Sequence, residues 1–333
     1  MKRLLITLLL LFSVLPNLMR AQEGIPVYFD YLSDNYYLVY PSMAGIGGGG
    51  KIRLTARKQW FNVDEAPSLQ TLNGHFRVGD KSGVGAILFN DSNGYHSQVG
   101  FKTTYAHHLN LSGDFRSLNQ LSFGMSVGVI LSSLDETEFR SVIPDPVVTG
   151  VKNTTSYFNL DLGASYSFFE FYAHAAVLNI LGTGRDLYTA AEFDNLRRYL
   201  LSAGYVFGKG ATRLEPSVLF QMTDFTQEKT IDANVKVYRD LNEKTTIWGG
   251  LSYRRSFDGA QFQQNGIFGE QRLNLFTPIA GVNINRFMFS YNYSYQTGDI
   301  RFDNGGFHQI TLGYDFGEQR QNRFDCYCPA ANY

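Results

Sequence analysis

From Gly94 the chain alternates between apolar and polar residues with a period of two. In GYHSQVGFKTTYAHHLNL, Tyr95, Val99, Phe101 and Tyr105 fall on one face, and His96, Gln98, Lys102, Thr104 and His108 on the other. Successive side chains of a strand point to opposite sides, so this period predicts a strand; a helix would scatter the same residues around its axis. The pattern returns where Leu121, Phe123, Met125, Val127 and Val129 oppose Ser122, Gly124, Ser126 and Gly128. It returns where Phe158, Leu160, Leu162, Ala164 and Tyr166 oppose Asn159, Asp161, Gly163 and Ser165. In RFMFSYNYSYQ, Phe287, Phe289, Tyr291, Tyr293 and Tyr295 oppose Met288, Ser290, Asn292 and Ser294.

Such runs predict fourteen strands, near residues 50–60, 68–78, 82–90, 94–109, 119–132, 156–168, 170–181, 197–208, 212–223, 229–239, 244–255, 271–283, 286–297 and 305–317. They are longer than the roughly 5–6 residues usual in soluble sheets. An even number of antiparallel strands closes into an up-and-down barrel, which pairs every backbone group and leaves no edge in lipid. The expected fold is therefore an all-β transmembrane barrel. The connections support it: tight turns around Gly79–Lys81, Phe168–Glu170, Gly208–Ala211 and Asn283–Asn285 lie on one side, and long connections at 133–155, 182–196 and 256–270 on the other. Short periplasmic turns and longer outer loops are the habit of outer-membrane barrels. The short outer connections at 61–67 and 91–93, and a longer periplasmic one at 110–118, depart from it.

Composition moves the reading the same way. Aromatic residues make up 15% of the chain and charged residues only 18%, with 33 glycines, yet past the N-terminus no apolar run is long enough for a spanning helix. Lys2 and Arg3 precede an apolar stretch from Leu4 that ends before Ala21, the layout of a secretory signal peptide. The expected organisation is a signal peptide over 1–21, an N-terminal periplasmic or lumenal segment over 22–48, the barrel over 49–317 and a periplasmic tail over 318–333. A net charge of −1 gives no reason to expect nucleic acid. Two cysteines, Cys326 and Cys328, make no disulfide scaffold; pairing with another protein, a metal, or free thiols all remain open for them.

Residues 45–52, GIGGGGKI, lie one residue from a phosphate-binding loop, with Ile52 where a Ser or Thr would ligate magnesium. Such a loop works by opening a helix whose N-terminus holds the anion. Here Ile52, Leu54 and Ala56 alternate with Arg53, Thr55 and Arg57, so the glycines lead into a strand and form a bend entering it.

Several stretches resemble the PorP/SprF family of type IX secretion system outer-membrane proteins of the Bacteroidetes. Tyr40-Pro41-Ser42-Met43-Ala44-Gly45 stands where the family has an Asn-Pro-Ala-x-x-Gly core, with Pro41 and Gly45 matching. Arg57 and Trp60 in RKQWF, Pro67 and Thr71 in APSLQT, and Gly83, Gly85, Asn90, Asp91 and Gly94 in GVGAILFNDSNGY follow the family pattern. FTPIAGVNI and Cys328-Pro329 near the end also resemble it. The resemblance implies a non-enzymatic role in export or surface attachment of a secreted type IX substrate, an adhesin-like protein recognised through its C-terminal domain, in secreting and gliding bacteria. It implies further partners in outer-membrane lipid and lipopolysaccharide and in other type IX components, and no cofactor. A passive channel for hydrophobic solutes is the alternative that the same architecture would support.

Candidate sites reduce mostly to the barrel. His107 and His108 are adjacent in a strand and face opposite ways, so they cannot chelate a metal together. His96, Lys102, His108, Asn159, Asp161 and Asn292 are expected to face the lumen, where a water-facing wall explains them as well as a pore does. Asn90 and Asp91 lie in NDSNG, a turn composition, and Asp135, Glu136 and Glu138 are expected in a solvated outer loop. Arg57 with Trp60 suits an interfacial anchor or a partner role equally. No triad, carboxylate pair or metal spacing points to catalysis.

Overall fold

The computed structural model describes residues 35–59, 66–112, 117–137, 150–181, 197–208, 210–224, 226–264, 267–297 and 306–317. All fourteen predicted strands are present: β1 Gly50–Gln59, β2 Ser68–Val78, β3 Ser82–Asn93, β4 His96–Asn110, β5 Asn119–Asp135, β6 Lys152–Phe168, β7 Phe171–Leu178, β8 Arg198–Tyr205, β9 Thr212–Thr223, β10 Lys229–Asn242, β11 Thr245–Gln264, β12 Ile267–Ile284, β13 Phe287–Thr297 and β14 Phe307–Phe316. Each pairs antiparallel with its sequence neighbours, and β1 pairs β14 from Gly50↔Phe316 to Gln59↔Phe307, which closes the barrel.

The two faces of the wall are inverted relative to a soluble barrel. On β13, Phe287, Phe289, Tyr291 and Tyr295 are exposed, while Ser290, Asn292 and Ser294 are buried. On β5, Phe123, Met125, Val127, Val129 and Leu131 are exposed, and Ser122, Ser126 and Ser132 are buried. Apolar rows outward and polar rows inward are stable only where hydrocarbon surrounds the wall. Tight turns join β2–β3, β6–β7, β10–β11 and β12–β13 at the end where β1 begins, and the longest connections, β5–β6 and β7–β8, lie at the other end, so the loop rule makes the first end periplasmic.

Three expectations about connections change. The segment 256–270 is no loop: β11 continues to Gln264 and β12 starts at Ile267, paired through Gln264↔Ile267. This hairpin runs on past the last pair with β10, Thr230↔Ser256, and the last pair with β13, Asn274↔Thr297. The two residues between the strands, Asn265 and Gly266, lie outside the described residues. Asn90 and Asp91 lie inside β3, because the turn is only Gly94-Tyr95, with Gly94 at φ +57°. Asp135 closes β5 and takes Thr137 N–H and Oγ1 as donors, so the outer connection begins at Glu136, three residues later than expected, and Glu136 is buried, not solvated. Residues 138–149 and the expected loop 182–196 lie outside the described residues.

Candidate functional site

The chain enters β1 from inside the barrel. Residues Asn35 to Ile46 are buried within the lumen, with Tyr40 and Ala44 fully covered. They form two single 3₁₀ turns, Tyr36–Leu38 and Pro41–Met43, and Pro41 takes the first position of the second, where its fixed φ suits a helical start and no N–H is needed. Gly45 then adopts φ +68°, a left-handed conformation cheap only for glycine, and the chain turns toward Gly50.

This plug is bonded to the wall at points spread across β2 to β9. Gly45 N–H donates to His75 Nδ1 at 2.9 Å, and His108 Nε2 donates to the Ala44 carbonyl at 3.0 Å. Tyr37 Oη donates to Thr104 Oγ1 at 2.8 Å and Tyr40 Oη to Ser202 Oγ at 2.7 Å, while the Ser42 and Ser165 hydroxyls meet at 2.6 Å. The His174 ring lies 4.8 Å from Tyr40 and 5.4 Å from Tyr36, between centroids. Burial pushes the Tyr37 and Tyr40 hydroxyls above the ordinary phenol range, so both remain protonated donors.

The wall is cut to receive the plug backbone. A Cβ at Gly124 would overlap Pro41, and one at Gly83 would overlap the Ala44 carbonyl. At Gly163 it would come within 3.0 Å of Pro41 Cδ. All these contacts fall in the periplasmic halves of their strands.

Glu215, fully buried on β9, is the densest polar junction. It accepts from Tyr36 of the plug at 3.0 Å, from Tyr238 at 2.7 Å and from Tyr172, and Lys236 Nζ stands 3.9 Å away. Lys236 is also 5.0 Å from the ring centres of both Tyr238 and Trp248, a cation held over two aromatic faces. Elsewhere inside the barrel Arg213 pairs Asp240, Arg254 pairs Asp232 through two bonds of 2.6 Å, and Arg53 pairs Asp315. The described lumen is polar and largely neutralised by pairing, which suits a filled interior.

The sequence candidates are distributed through this interior without forming one cluster. Pro41 and Gly45 are in the plug, and His108 holds it. Lys102 pairs Asp161 at 2.6 Å; Asp161 also accepts Asn179 N–H, and Asn159 donates to the Asn179 side chain, so the pair ties down the end of β7. Asn292 is buried on β13, and His96 is half-buried at the outer end of β4. Arg57 faces the lumen and is coupled electrostatically to Asp91, whereas Asn90 is exposed and His107 faces outward, 3.5 Å from Tyr105. The Pro67 carbonyl accepts Gln59 N–H; Trp60, Cys326 and Cys328 lie outside the described residues. Sequence reading missed Tyr36, Tyr37, Tyr40, His75, His174 and Glu215, although glycines replacing polar residues on lumen rows were a visible sign of something packed against them. Among the described residues no group of three metal-ligating side chains converges.

Residues 21–314 match the model of a family described as type IX secretion system membrane protein PorP/SprF. No curated protein sequence matches. Among solved structures, a TodX monoaromatic hydrocarbon channel variant is similar at TM-score 0.50 and 10% identity, over 86% of this chain and 94% of that one. The CymD monoaromatic hydrocarbon channel is similar at 0.48 and 10%, over 90% and 96%. CdiB from Acinetobacter baumannii reaches 0.43 and 9%, covering 80% of this chain and only 60% of its own length. At such identities the likeness concerns the barrel fold alone.

Proposed function

We propose, from the premise that this chain belongs to the PorP/SprF family of type IX secretion system membrane proteins, that it is needed for export or surface attachment of one secreted partner. The partner is an adhesin-like type IX substrate handled through its C-terminal domain, and the barrel's part is non-enzymatic. The protein is an outer-membrane β-barrel, with apolar rows on lipid and polar rows inside.

The observation that carries the reading is the N-terminal segment seated in the lumen. A passive channel for hydrophobic solutes needs an open route, whereas here the periplasmic half holds a plug bonded to β2, β4, β6, β8 and β9. A barrel with this segment seated inside still offers its outer end as a scaffold, and the paired ends of β11 and β12 extend that end. The test is a pull-down of the tagged barrel from detergent-solubilised outer membranes, together with deletion of its gene. One secreted protein bearing a C-terminal secretion domain should co-purify and disappear from the cell surface in the deletion. Ion conductance in planar bilayers with no secreted partner recovered would instead establish the channel.

A further inference from the structure

We infer that the N-terminal plug is a fixed septum: it stays seated while the partner is exported or held, so the partner engages the extracellular end of the barrel and never threads the lumen. This rests on the partner-handling reading above and adds to it which side of the barrel is used.

A gate needs a second resting position or a hinge on one side. The plug's bonds lie on β2, β4 and β6 to β9, from His75 to Glu215, so it is held along its described length, from Tyr36 to Gly45, and not at one end. The seat is cut for close approach of the plug backbone: Gly83 and Gly124 lie where a side chain would overlap Ala44 and Pro41. Glycine weakens a strand interior, and its usual reason there is close approach of another backbone. The polar pairing is reciprocal as well. Withdrawal would strip an acceptor from His108, a donor from His75 and a tyrosine donor from buried Glu215 at the same time. The tether is also short, since only Ile46 to Gly49 separate Gly45 from the first residue of β1. At the extracellular end, β11 and β12 run on past their pairs with β10 and β13 and offer a partner a surface outside the lumen.

The test uses the full-length protein in cells, with both native cysteines replaced by serine. Ser42→Cys with Ser165→Cys, whose hydroxyls now meet at 2.6 Å, would bond plug to wall on oxidation. The expected result is no loss of surface partner between reduced and oxidised cells, with purified barrels closed in planar bilayers in both states. Loss of surface partner on oxidation that reduction restores would overturn the septum, as would conductance that appears only on reduction. Should the double variant fail to assemble, Ser42→Cys alone is probed with a hydrophilic maleimide during active export. Protection supports the septum, and labelling that rises with export overturns it. If gene deletion leaves the surface partner unchanged, the partner-handling reading fails by itself, while conductance and maleimide protection still decide whether the septum is fixed.

Discussion

His75 and His108, on β2 and β4, hold adjacent groups of one plug turn in opposite senses: His75 Nδ1 accepts Gly45 N–H at 2.9 Å, and His108 Nε2 donates to the Ala44 carbonyl at 3.0 Å. The partners fix the tautomers, since an amide N–H only donates and a carbonyl only accepts. His75 must leave Nδ1 bare and His108 must carry its proton on Nε2. The other ring nitrogen of His108 meets Ser122 at 2.8 Å, so the wall itself orients the clamp.

Replacing His108 with Ala should therefore destabilise the seated plug by about 1–3 kcal/mol, the cost of leaving a buried carbonyl without its donor. His108→Gln, which keeps a donor of similar reach, should lose less. Thermal unfolding of the purified barrel measures both, and equal melting of wild type and His108→Ala would show that the bond contributes nothing.

The glycine seat gives a sharper contrast. Gly124→Ala puts a methyl group into the Pro41 backbone and should unseat the plug. Gly249→Ala, where the nearest atom stands 3.4 Å away, should leave the plug seated. Maleimide labelling of a Ser42→Cys reporter in detergent separates them: fast labelling is expected only beside Gly124→Ala.

Alkaline pH should loosen the plug. Burial raises the Tyr37 and Tyr40 hydroxyls above the ordinary value of 10.0, so the seated form favours the protonated phenols. Below that pH both forms are protonated and seating is unaffected; as pH climbs past it, the unseated phenols ionise first and draw the equilibrium outward. Labelling of Ser42→Cys should rise above pH 10 in the parent, and Tyr37→Phe with Tyr40→Phe should flatten that rise.

The wall was legible in the sequence because lipid and water impose a strict period of two on each strand, as in Phe287 to Tyr295. It failed where the period is interrupted. Between Arg255 and Gly259 the register of β11 shifts against β12, which breaks the alternation and made 256–270 read as a loop. Composition misled at Asn90 and Asp91, where turn-forming residues continue a strand and Gly94 alone takes the left-handed position. The plug has no period to read. Its contacts join residues far apart, Tyr36 and Glu215 being 179 positions distant, and only closure of the barrel brings them together.

The orientation of the wall makes the plainest demand on any variant. Phe289 is 45% exposed on β13, facing lipid, and Asn292, three residues on, is 3% exposed and faces the lumen. Arginine at Phe289, two residues from the periplasmic start of β13, must bring its charge toward hydrocarbon, at a cost below the about 2–4 kcal/mol of the midplane. At Asn292 the same guanidinium would stay on the lumen face, with polar Gln309 as one cross-strand partner and Ile279 as the other, and should cost far less. Urea titration of refolding into lipid vesicles compares the two. Equal loss of stability would mean that both positions meet the same solvent, which the alternation of β13 forbids, and the assignment of inward and outward faces would be wrong.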